Sequence, residues 1–128
     1  MTFQTVRAIG LKLPGAEAAT MYGEPALKVK GQMFACIASH KSAEPNTLVV
    51  RIDFAQRDAL LAEDPETYYL KEHYEGYACV LVRLSRVSRE AMHDLLAGAW
   101  RMVNASGRPA RRSARLRSPA SRGRRPAK

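Results

Sequence analysis

The sequence predicts an α+β domain, an antiparallel sheet with helices packed on it as a two-layer sandwich, followed by a basic C-terminal tail of disordered composition. Three observations carry this. Short alternating apolar runs follow one another through the first half of the chain, joined by turn residues. Helical periodicity brackets these runs at both ends. Beyond Asn104 the periodicity stops and the composition turns to Arg, Ser, Pro and Ala. Consecutive strands with short connections make antiparallel sheets, and amphipathic helices bury their apolar stripe against one face of such a sheet.

The elements follow in order. Phe3, Val6, Ile9 and Leu13 recur at helical spacing, and Pro14-Gly15 ends that helix. AATMY reads as a strand and Gly23-Glu24-Pro25 as a turn. In ALKVK, Leu27 and Val29 face one way and Lys28 and Lys30 the other. Gly31-Gln32 is a two-residue turn into MFACIAS, which makes a hairpin. A polar loop from Lys41 to Asn46 leads to LVVRIDF, with Leu48, Val50, Ile52 and Phe54 on one face and Arg51 and Asp53 on the other. Asp53 caps a short helix, FAQRDALLAED, with Leu60 and Leu61 inward, and Asp64-Pro65 stops it. TYYL is a short extended piece. YACVLVRL is apolar on both faces, which places it inside the sheet. Ser88 caps the last helix, Val87 and Met92 form a hydrophobic staple, and Met92, Leu95, Leu96, Ala99, Trp100 and Val103 form its stripe.

Charge divides the chain in two. Lys and Arg number 21 against 12 Asp and Glu, a formal net charge of +9. Residues 105–128 hold nine of those bases and no acid, so residues 1–104 keep 12 of each sign and are formally neutral. The expected organisation is thus a folded domain over 1–104 and a disordered arm over 105–128, where one-signed charge and few apolar residues disfavour packing. The arm has a coil reach of about 27 Å and an extended limit near 80 Å. Within it, Arg122-Gly123-Arg124-Arg125-Pro126 and Gly107-Arg108-Pro109 resemble pieces of an AT-hook, in which glycine lets the backbone lie in the minor groove while arginines follow its negative potential. An extra arginine interrupts the longer piece, and the shorter one lacks the leading arginine. Non-specific polyanion binding needs only the charge.

The remaining residues narrow the chemistry. Cys36 and Cys79 each sit in an apolar run, as small buried thiols do, which suggests a reduced, cytoplasmic protein. No apolar run is long enough to span a membrane, and the N-terminus lacks the pattern of a secretory signal. His40, His73 and His93 stand at no metal-ligand spacing, so no metal or other cofactor is expected. There is no nucleophile elbow and no phosphate loop, and Asp64 and Glu66 flank a proline that punctuates a helix; no catalytic residue is expected. His73 lies in the polar aromatic stretch Lys71–Glu75, where it could line a groove with Tyr68, Tyr69 and Tyr74 or form part of a surface loop.

Several segments in order, GEPALKVKGQMFACI, LVVRIDFAQRDALL, YEGYACVLVRL and LLAGAWRMV, resemble the MmcQ/YjbR family of small bacterial proteins across residues 3–104. Members tend to carry an aromatic residue where Leu27 stands, a lysine at Gln32 and a tryptophan at Tyr77. The resemblance implies an α+β sandwich in a "double-wing" arrangement. It also implies DNA binding, a label that rests on structural likeness, and it brings no catalytic motif.

The function expected is therefore non-enzymatic DNA binding, non-specific or A·T-preferring, in the cytoplasm, with association with the nucleoid as an option. The tail arginines, among them Arg108, Arg111, Arg112, Arg122, Arg124 and Arg125, supply most of the affinity. Lys28, Lys30, Arg51 and Arg83 supply a second surface if they share one sheet face; otherwise they form an ordinary solvated face. Two rival expectations are a protein-binding adaptor and a small-molecule site near His73, the latter requiring a deep pocket with convergent polar groups.

Overall fold

Two tight turns shape the first half of the sheet. At Tyr22-Gly23 (φ 53° and 81°) and at Lys30-Gly31 (φ 54° and 77°) both residues take positive φ. This is the type I′ hairpin conformation, whose twist matches that of the flanking strands. The turns join β1 (Ala16–Met21), β2 (Glu24–Val29) and β3 (Gln32–Ile37). Both fall earlier than the turn residues suggest: Glu24 and Pro25 already pair with Met21 and Thr20, and Gln32 already pairs with Val29. In each turn the glycine takes the second position, and Tyr22 or Lys30 carries the less comfortable first one.

The structure, a computed structural model, describes residues 1–106. Before the hairpins comes α1 (Phe3–Gly10); after them come β4 (Thr47–Arg51), α2 (Phe54–Glu63), β5 (Tyr68–Tyr69), α3 (Glu72–Glu75), β6 (Cys79–Arg83) and α4 (Arg89–Ser106). The six strands form one antiparallel sheet in the order β1-β2-β3-β4-β6-β5, with β6 inside it as its doubly apolar run requires. The two expected caps form: Gln56 N–H donates to Asp53 Oδ1 (2.8 Å) and Ala91 N–H to Ser88 Oγ (3.0 Å). The strand expected through Phe54 ends at Arg51, because Asp53 starts α2. The short helix α3 was not expected. Helix α4 continues through Ala105 and Ser106, past the expected boundary at 104, and residues 107–128 of the tail lie outside the described residues.

The main core lies on the sheet face covered by α1 and α4. Met92, Leu96, Ala99 and Val103 of α4 meet Leu27, Phe34, Leu48, Val50, Val80 and Val82, all of them buried. Fully burying side chains of this size contributes about 1.5–3 kcal/mol each. A bulge between Leu27 and Lys28 breaks the pairing of β2 with β3, so that Leu27 opposes Ala35 and Lys28 opposes Met33. Phe34 is the extra residue, and both it and Ala35 join the helix-side core. Helix α1 approaches β2 so closely that a Cβ on Gly10 would stand 2.5 Å from Leu27 Cδ1. Trp100 packs against this core with a polar end: its Nε1 donates to the Pro14 carbonyl at 2.8 Å. Among the described residues no helix is long and apolar enough to cross a membrane.

Candidate functional site

The opposite face of the sheet is covered differently. Alternate residues of the same strands, Ala26, Cys36, Val49, Cys79 and Leu81, form a smaller core with Tyr69 and Tyr74. Among the described residues no long helix lies on it. The loop 38–46 and the single turn of α3 cover part of it, and polar contacts hold them there. Tyr69 Oη accepts from Glu44 N–H (2.8 Å) and lies 2.6 Å from Thr47 Oγ1, while Tyr74 Oη accepts from His40 N–H (3.3 Å). The rings of His40 and His73 stack 3.7 Å apart, nearly parallel, and join the loop to α3. Burial, then the neighbouring His73 and Lys41, push the His40 ring below its ordinary pKa, and its Nδ1 accepts the Ser42 N–H (3.1 Å), which suits the neutral ring.

The register places Lys28, Arg51 and Arg83 on this open face, as the alternation requires, but it does not make them equivalent. Arg83 is occupied. Its Nε and Nη2 grip both oxygens of Glu44 (2.9 and 2.8 Å), and Nη1 donates to the carbonyls of Pro65 and Glu66 (3.0 and 2.9 Å). Its guanidinium also lies over the Tyr69 ring at 4.3 Å. Four of its five N–H donors are used, and Arg83 is therefore a brace tying the loop to β5. Hydrogen bonding and charge from Arg83 hold the Glu44 carboxyl below the usual range. Lys30 lies beyond the strand in the exposed turn. Lys28 is half-buried beside Met33, and Arg51 is half-buried beside Cys79.

Between the hairpin and α3 the uncovered part of this face forms a groove of about 360 Å³. Its floor is made by Cys36, Val49 and Cys79, with Met21 and Met33 along one side. Tyr22 on the first hairpin turn and Tyr77 after α3 stand at its margins, with His73, Tyr74 and Arg51. Of the tyrosines expected near His73, only Tyr74 lines it; Tyr68 is buried with the helix-side core and Tyr69 beneath Arg83. The signals for Tyr22 and Tyr77 were faint: a bulky residue in a turn, and an aromatic just before a strand.

Arg57, also unforeseen, sets one wall. It is buried, and its Nη1 donates to the carbonyls of Glu75 and Tyr77 (both 3.1 Å), tying α2 to the chain that carries Tyr77. Its guanidinium also lies over the Phe54 ring at 4.6 Å, and that ring stays partly in solvent.

The groove holds no ready nucleophile. Burial, then the nearby Cys79 and Glu24, push the Cys36 thiol up to about 11, and burial raises Cys79 as well. Both thiols are free and stay protonated at neutral pH. Among the described residues no group of three or more His, Cys, Asp or Glu could hold a metal ion. A second cavity, about 500 Å³, lies between α2 and α4; its charges, Arg51 and Arg101 against Asp53 and Asp94, balance.

Comparison with known proteins adds the following. A family model described as YjbR matches residues 11–102. Uncharacterized proteins of Mycobacterium tuberculosis (Rv2570) and Mycobacterium bovis (Mb2600) are each 39% identical over 44 residues, 34% of this chain and 34% of theirs. The matched stretch thus spans about a third of the length of these relatives. In structure the chain is similar to DR2400 of Deinococcus radiodurans, described with the domain DUF419. The TM-score is 0.69, the identity 22%, and the match covers 84% of this chain and 81% of that one.

Proposed function

The chain belongs to the YjbR family, and from that premise we propose that it is a non-enzymatic DNA-binding protein, acting in the cytoplasm and drawing most of its affinity from the cations of residues 105–128. The observation that carries this reading is the segregation of charge: the whole formal excess of +9 lies in those residues, while 1–104 is neutral. A neutral body offers little long-range attraction to a polyanion, whereas a one-signed arm releases counterions from DNA wherever it meets phosphates. Lys28 and Arg51 on the open face, with Lys30 in the adjoining turn, supply a second, smaller set of contacts. Arg83 is left out because its donors are committed to Glu44 and two carbonyls. The hook-like pieces around Arg108 and Arg122–Arg125 favour A·T-rich duplexes.

The test is fluorescence anisotropy of A·T-rich and G·C-rich duplexes with the full chain over a salt series. It is compared with a full-length variant in which Arg108, Arg111, Arg112, Arg122, Arg124 and Arg125 become Gln. The full chain is expected to bind with a log–log salt slope of up to about −8, and the variant to lose about 5 of that slope. Equal binding by the two proteins would remove the tail from the account. Binding by neither, at low salt, would end the DNA reading.

A further inference from the structure

We propose that the groove on the open sheet face is a binding site for an unpaired nucleobase, so that this face prefers single-stranded nucleic acid to a duplex. This rests on the nucleic-acid reading above and makes it more specific. Three features of the groove point to it. First, its margins carry aromatic rings left in solvent. Tyr22 is 83% exposed and Tyr77 63% exposed. The third exposed large apolar side chain among the described residues, Phe54, already lies under Arg57. Exposed rings beside a concave apolar surface mark a contact site, and bases of a single strand stack on such rings whatever their sequence. Second, the groove is lined by sulfur. Met21, Met33, Cys36 and Cys79 present thioethers and protonated thiols, soft groups that make favourable contacts with flat aromatic rings. The nearly buried tyrosine hydroxyls of the covered half are already used, so this part of the face offers dispersion and stacking.

Third, a guanidinium, that of Arg51, lines the groove on one side. The row Ala26, Cys36, Val49, Leu81 runs across the sheet. Lys28 and Arg51 lie on one side of that row and Glu24 on the other. The sugar-phosphate belongs at the Arg51 end, away from Glu24, with the base over the sulfur-lined floor. A space of about 360 Å³ is at the small end for ligand sites. It suits a base that has left its stack, which a duplex supplies only at the cost of unpairing.

The experiment uses the full chain and an oligothymidylate of about twelve nucleotides carrying one central 2-aminopurine, free and annealed to its complement. Fluorescence of the 2-aminopurine reports stacking, and anisotropy reports binding. The single strand is expected to bind more tightly than the duplex at salt high enough to screen the tail, with the 2-aminopurine quenched beyond its level in the free strand. Tyr77→Ala and Tyr22→Ala are each expected to lose roughly tenfold in single-strand affinity and to leave duplex binding and thermal unfolding unchanged. Arg51→Gln is expected to shallow the single-strand salt slope by about one. Binding of both forms without quenching, or tyrosine variants that bind the single strand like the parent, would overturn the groove proposal while leaving DNA binding standing. Failure of both forms to bind would overturn both.

Discussion

On one face of the sheet Leu27, Phe34, Leu48, Val80 and Val82 disappear beneath α1 and α4; on the other, the alternate residues Ala26, Cys36, Val49 and Leu81 lie under short segments held by polar contacts. The same strands supply both faces. The difference lies in what covers them. Long helices exclude water by area, and each buried side chain there contributes by its volume. The loop 38–46 and α3 have too few apolar residues for that, so Arg57, Arg83, Tyr69 and Tyr74 hold them by hydrogen bonds to carbonyls, amide groups and a carboxylate. The first arrangement suits stability. The second leaves a groove with exposed rings at its edge, which suits recognition.

Substitutions on the two faces should therefore differ in size. Phe34→Ala removes a fully buried ring and is expected to cost about 3–5 kcal/mol in urea unfolding. Gly10→Ala drives a methyl into Leu27 Cδ1, so that the Leu27 side chain or α1 must shift, and is expected to cost about 1–3 kcal/mol. On the open face, Arg57→Leu removes the side-chain donor that the Glu75 and Tyr77 carbonyls share, leaving Tyr77 only its bond from the Cys79 N–H; about 1–3 kcal/mol is expected, together with faster amide exchange around Tyr77. Open-face costs equal to that of Phe34→Ala would break the distinction.

Much of this architecture is legible in the sequence because it depends on local rules. Alternation places Lys28, Arg51 and Arg83 on one face, and Asp53 and Ser88 announce their helices by capping chemistry. What escapes depends on long-range partners. Nothing local distinguishes Arg83 from Arg51, yet Arg83 meets a carboxylate 39 residues away and Arg51 does not. Arg57 reads as an ordinary exposed helix charge because its acceptors are carbonyls 18 and 20 residues on. The bulge at Leu27/Lys28 hides in an even apolar run, and Phe34 looks like any strand residue. The groove is legible only in part: His73 and Tyr74 stand out as an aromatic cluster, whereas Tyr22 reaches it from a hairpin turn 51 residues before His73.

The smallest expected effects appear with pH. Glu44 has a folded pKa below its unfolded value. Its share of stability is present above the ordinary glutamate pKa and is lost as pH falls through the depressed folded value. His40 is also depressed in the folded state. Unfolded chains then bind the proton first, so stability declines as pH falls from the ordinary histidine range toward that lower value. Both groups sit in the loop on the open face. Chemical denaturation across pH is expected to show these declines, with His40→Gln flattening the upper one and Glu44→Gln the lower. A parent-like profile in both variants would show that the loop is not held as described.

The open face, and not the helix-covered one, is expected to meet nucleic acid. Amide chemical-shift perturbation of the full chain, titrated with a short single strand, tests it most directly. Shifts are expected at Tyr22, Lys28, Lys30, Arg51 and Tyr77 and in the basic tail, with residues of α1 and the outer side of α4 unmoved. Shifts centred on α1 and α4, or confined to the tail with the groove residues silent, would contradict it.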